Sequence, residues 1–172
     1  ELARARREFF GTDQPDYARD DDEREAAAVR FAEWFILERP SDVLGEVPFE
    51  AIMRRVSSNE EDEALNQSRV GLFLAETSGR EAQVRDLEGG DRFALVDLPL
   101  ELKAGDMLVG RLFPLADGRC VPSAVLTVLS GAAHLAVAFQ KDIRTLGLDR
   151  RLSQAEIEEL VFRQQALAEA TH

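Results

Sequence analysis

EGGDRFALVD at 88–97 and KAGDMLVGRL at 103–112 decide the fold. Each sets Gly-Asp directly before an apolar run. Gly90-Asp91 and Gly105-Asp106 stand where a strand begins, and glycine supplies the positive φ that such corners require. The pattern therefore predicts corners, not ligand loops. Working outward, the period of the apolar residues predicts five short strands: 70–77, 81–87, 92–97, 106–114 and 119–129. Turn chemistry separates them, in SGR, EGG, PLELKAG and LADG. Five short strands need closure or cover for their edges. A small antiparallel barrel-like or strongly bent sheet is the expected solution.

Helical patterns lie on both sides. In 22–38, Ala28, Phe31, Ala32, Phe35 and Ile36 follow three-four spacing, and Trp34 and Leu37 widen the stripe. The acids Asp20 to Glu23 stand at its start, where the helix dipole favours anions. Arg39-Pro40 ends it. Pro48 opens a second helix over 48–57, with Phe49, Ile52, Met53 and Val56 on one stripe. The polar run 57–68 reads as a loop or a weak helix. After the strands, 130–146 carries Leu135, Phe139, Ile143 and Leu146, with Ser130 as the expected N-cap. Gly147-Leu148 has the form of a C-terminal cap. Ser153 to Glu156 is a capping box, with Leu152 and Ile157 placed as its staple. Ile157, Leu160, Val161, Leu167 and Ala168 continue that stripe. The expected fold is α+β: a small five-stranded antiparallel barrel-like sheet flanked by two N-terminal and two C-terminal helices. Residues 1–21, with turn chemistry in GTDQPD, form an N-terminal arm, mobile or docked on a partner. Residues 22–172 form a single domain: helical over 22–68, a β module over 69–129, helical over 130–172.

The 172 residues, with 45% hydrophobic side chains, suffice for one domain with a genuine core. The net charge of −12 is uneven: residues 1–68 hold 18 acids against 9 bases. That end repels nucleic acid and anionic membrane, whose affinity comes from Lys and Arg. No apolar run approaches the ~18 residues that span a bilayer, and no basic-then-apolar leader pattern occurs. The single cysteine, Cys120, makes no internal disulfide, so a cytoplasmic setting is expected.

Phe31-Ala32-Glu33-Trp34-Phe35, Arg39-Pro40 and Pro48 resemble the helical start of a poorly characterised bacterial family. In that family the segment often precedes a SEC-C metal-binding tail. Gly71-Leu72-Phe73, Val84 to Leu87, Ala104 to Leu112 and Pro114 are similar too. The resemblance covers roughly residues 28–125, by residue order and type, without a catalytic signature. It implies helices followed by a small β module, and no activity. The SEC-C tail holds zinc through Cys and His, a pattern this chain does not contain.

Candidate sites reduce in the same way. His134 lies near Ser130 and Asp142, but Ser130 and His134 are one turn apart on one helix and no G-x-S-x-G elbow occurs. Terminal His172 reads as a tag remnant. Cys120 follows Arg119, which favours a thiolate, yet a small buried residue is the expected role. The runs Asp20 to Glu23 and Glu60 to Glu63 lack the alternation of a calcium loop. Gly89-Gly90 is not a phosphate loop. No catalytic, cofactor or metal set is expected. The expected function is a non-enzymatic protein-interaction module, an adaptor or subunit of a bacterial assembly whose partner presents a basic surface. Arg85, Arg111, Phe113 and Arg119 are its candidate interaction surface. Those residues, with Arg92 and Phe93, also define the alternative, a nucleic-acid-associated regulator using the β module. An enzyme of unrecognised type is the third reading.

Overall fold

The structure, a computed structural model, describes residues 1–11, 21–56, 59–98, 100–147 and 150–161. Its sheet begins where the apolar period changes. β1 (Arg69–Ala75) is central, flanked by β2 (Gln83–Asp86) and β4 (Met107–Pro114). β3 (Arg92–Ala94) extends the β2 side, and β5 (Cys120–Pro122) and β6 (Thr127–Leu129) share the far edge of β4. Every ladder is antiparallel, and Leu72 faces Val109 while Phe73 faces Leu108. Past β3 the chain bends back until Leu95 meets Cys120 in a single parallel bridge. The sheet thus curls into a half-barrel, with helices at both ends of the chain: the α+β fold that the sequence predicts. The expected fifth strand, 119–129, is two short strands. Pro122 lacks an N–H for the ladder, and the chain turns at once, with Leu126 N–H donating to the Ser123 carbonyl at 3.1 Å.

Side chains alternate along β1 and β4, so each strand feeds two cores. Phe73, Val84, Leu95, Leu108 and Leu112 fill the half-barrel. Val70, Leu72, Met107 and Val109 point the other way, onto α5 (Ala133–Leu146) and a final helix α6 (154–161). Burial on both faces is why these two strands read as almost unbroken apolar runs. Gly110 sits at φ +147°, and a Cβ there would lie 3.1 Å from Leu126. It lets Leu126 close over the sheet. Both opening corners are corners, with Gly90 at φ +79° and Gly105 at φ +94°. The second also locks the fold. Asp106 is buried, accepting from Lys103 N–H and from Gly131 N–H, each at 2.9 Å. It thereby joins the start of β4 to the start of α5.

Among the described residues four helices precede the sheet where two are expected. α2 (Asp21–Leu37) and α3 (Pro48–Met53) are the predicted pair, α3 ending four residues early. α1 (Leu2–Phe10) lies in the predicted arm, yet it docks on its own chain: Phe9 and Phe10 pack against Phe31 and Trp34. Arg39 fixes that contact, donating to Glu8 at 2.6 Å and to Glu1 and Asp42 at 3.3 Å. α4 (Glu60–Asn66) fills the segment read as loop or weak helix. Its signal is a capping box on Asn59 and Asp62, with bonds of 2.9 and 3.0 Å. Ser130 is not the N-cap of α5; Ala132 is, without a side-chain bond, and Asp106 accepts from Gly131 N–H just before it. The Ser153–Glu156 box is formed, at 2.8 and 3.4 Å, with Leu152 and Ile157 buried beside it. Asp20, the 12–16 turn, Leu148, Leu167, Ala168 and His172 lie outside the described residues.

Candidate functional site

Arg111 sits in mid-β4 on the face shared with Met107 and Val109, where α2 and α6 cover the sheet. Its side chain is 3% exposed. Nη1 donates to Ser68 Oγ at 2.9 Å, and Nη2 donates to Gln154 Oε1 at 3.2 Å and to the Glu38 carboxylate. The other Glu38 oxygen accepts from Gln154 N–H at 3.0 Å. One ion pair therefore ties the end of α2, the middle of β4 and the first turn of α6. Nε stands 3.7 Å from Glu33 Oε2 and makes no hydrogen bond. Glu33 accepts instead from Ser123 Oγ, at 2.6 Å. Arg30 of α2 pairs with Glu158 of α6 at 2.6 Å, both largely buried. Burial pushes the Glu38 and Glu158 carboxyls above their ordinary range, against the pull of Arg111 and Arg30.

Beside this cluster lies an open cleft of about 560 Å³ between the helices and β1, β4 and the 150–153 segment. Leu37, Phe49, Leu65 and Leu152 supply its apolar wall. Arg69, Arg111, Arg150, Arg151, Glu38 and Glu50 are among its other lining residues, and the Arg69 guanidinium itself lies over the Phe93 ring, 5.4 Å from its centroid. Arg151 is held from outside by Asp86, which is fully buried and accepts at 2.5 Å.

The candidate interaction residues do not form one basic face. Arg111 is in the interior, turned to the helices. Arg85 is half-buried and donates to Glu76 at 3.1 Å; Arg92 shares that carboxylate at 2.7 Å. Arg119 is exposed and bound to Asp117 at 2.7 Å. Phe113 is half-buried, opposite Val121. β1 and β4 separate β2, which carries Arg85, from β5. Alternation along β4 made Arg111 look like a solvent-facing residue. The covering helices, which the strand's own sequence does not report, reverse that reading.

His134 is exposed on α5. Cys120 lies in the half-barrel core, where burial pushes its thiol pKa up, against nucleophilic use. Glu60 to Glu63 form the first turn of α4, answering its dipole. Among the described residues no group of three or more His, Cys, Asp or Glu is arranged to hold a metal, and no helix is long and apolar enough to cross a membrane. Compared with known proteins, the chain matches no family model, no curated protein and no solved structure.

Proposed function

We propose that the chain is a non-enzymatic protein-interaction module of a bacterial cytoplasmic assembly, docking through the segment 43–56. The observation that carries this is a set of large apolar side chains displayed on ordered backbone. Val43 is 79% exposed, Leu44 50%, Ile52 54% and Val56 52%. Isolated exposed apolar residues need no explanation, but these four fall within fourteen positions of a braced segment. Ser41 Oγ accepts from Val43 and Leu44 N–H, both at 3.1 Å, and Gly45 N–H returns to the Ser41 carbonyl at 2.8 Å. Glu46 reaches across to Arg54. Such a loop loses little entropy on binding.

The occupant is a protein surface with an apolar pocket ringed by Lys and Arg. Between 36 and 63 the chain carries eight carboxylates and three guanidiniums, and one of the three, Arg39, is already engaged by Glu8, Glu1 and Asp42. Charge complementarity then sets orientation and on-rate. The test is affinity capture from nuclease-treated bacterial extract with wild type, Val43→Asp and Ile52→Glu, read by mass spectrometry. A stoichiometric protein held by wild type, released by added salt and lost with both variants is expected. A partner set that survives both variants, or that vanishes with nuclease, overturns the reading.

A further inference from the structure

We infer that the free edge of β6 is a strand-addition site for a second copy of this chain, paired antiparallel about a two-fold axis through Val128. The inference is independent of the docking segment. β6 pairs β4 on the side away from β1, and no described strand lies beyond it. Backbone groups alternate along an antiparallel ladder, so the direction of each is fixed. The Asp106 carbonyl accepts from Ala75 of β1 at 2.8 Å, and the Arg111 carbonyl accepts from Ser123 N–H on the opposite side, also at 2.8 Å. The odd-numbered residues of β4 therefore turn away from β1, and Met107 and Val109 meet Leu129 and Thr127 there. Val128, between those two, turns its N–H and C=O outward. Across the planar peptides on either side, the Leu126 carbonyl and the Ser130 N–H turn outward as well. Among the described residues nothing bonds these groups.

Sheet edges are ordinarily guarded by charge or proline against pairing with another chain. β3 carries exposed Arg92 and β5 carries Pro122. β6 has neither guard. Residues 120–133 hold no charged side chain and no histidine, in a chain that is 31% charged. The edge is also held in shape. Leu126 and Val128 pack on the half-barrel core and Leu129 on the core beneath α5, so pairing orders little that is free. Register and charge together choose the occupant. A strand pairs antiparallel with its own copy about a two-fold axis. With that axis through Val128, its N–H donates to the carbonyl of Val128 in the second copy, and the reverse. Ser130 N–H then donates to the Leu126 carbonyl across the seam, again in both directions, so every outward group is used. The seam is where two chains of net charge −12 meet without charge on either side. A basic partner finds no carboxylate on this stretch to recognise.

The test is sedimentation equilibrium of the full chain over a wide range of concentration, at low and at high salt. A monomer–dimer equilibrium is expected, its mass rising toward twice 19.2 kDa. It is expected to tighten with salt, which screens the repulsion between two acidic copies. Val128→Pro removes the outward N–H and none of the bonds to β4, as proline on an edge strand does. It is expected to weaken the dimer at least about tenfold. Thr127→Lys leaves every backbone bond in place and sets a charge opposite Leu129 of the second copy. The same loss is expected from it, which keeps the test intact should proline disturb the strand. A chain that stays monomeric at every concentration, a dimer unmoved by both substitutions, or a dimer that salt dissolves, overturns the inference.

Discussion

Arg111 holds three elements at once, and the cost of losing it follows from what it leaves behind. Arg111→Met strands the Glu38 carboxylate in the interior, and a broken buried pair costs about 3–5 kcal/mol. Urea unfolding of the variant is expected to show that loss, and adding Glu38→Gln is expected to recover part of it. No recovery would mean that Glu38 is solvated without its partner. Gly110 is the second sensitive residue. Ala there is strained at φ +147° and meets Leu126, so Gly110→Ala is expected to cost about 1–3 kcal/mol in the same assay. The two residues differ in legibility. Gly105-Asp106 announces a corner locally, through backbone need. Arg111 announces nothing, because an arginine between apolar neighbours on a strand has the same pattern whether water or a helix covers that face.

Elements with local terminal chemistry were the readable ones. The Ser153–Glu156 box marks the start of α6, and Gly147 in the left-handed region marks the end of α5. α4 carried the same signal on Asn59 and Asp62, hidden in an acidic run that resembles a solvated loop. Residues 1–21 read as an arm, mobile or docked on a partner, because the docking of α1 depends on rings far along the chain, at Phe31 and Trp34. Two predictions belong at this scale. Phe9→Ala is expected to let α1 detach, so that its amides exchange quickly while those of β1 and β4 keep their protection. Hydrogen exchange with mass spectrometry reads both, and unchanged protection in α1 would contradict the docking. The second concerns the α6 box. Arg150 and Ser153 hold Glu156 at a pKa of about 2, below its ordinary value of 4.5. A lowered carboxyl stabilises the fold above pH 4.5, and the contribution is lost as pH falls toward 2. Glu156→Gln is therefore expected to flatten the decline in stability across that window, followed by circular dichroism. An unchanged decline would place the acid sensitivity elsewhere.

Over the whole molecule, fold class came from period and turn chemistry, which act within a few residues. Closure did not. The half-barrel is completed by Leu95 on Cys120, twenty-five positions apart, and the fifth strand broke where Pro122 denies the ladder a donor. The same limit applied to the surface. Arg85, Arg111 and Arg119 were grouped by type, and the fold separates them, placing one in the interior and pairing the others with acids. The segment 43–56 carried no such label in sequence, since Ile52 and Val56 looked like the buried stripe of a helix. In the fold they are exposed, as are Val43 and Leu44, and under the proposed docking the acids around them favour a basic partner. The most direct measurement is the affinity of the captured partner for wild type and for Ile52→Glu, each at low and high salt. At least about a tenfold loss in the variant, with wild-type affinity falling as salt rises, is predicted. Equal affinities for the two chains would contradict docking through this segment.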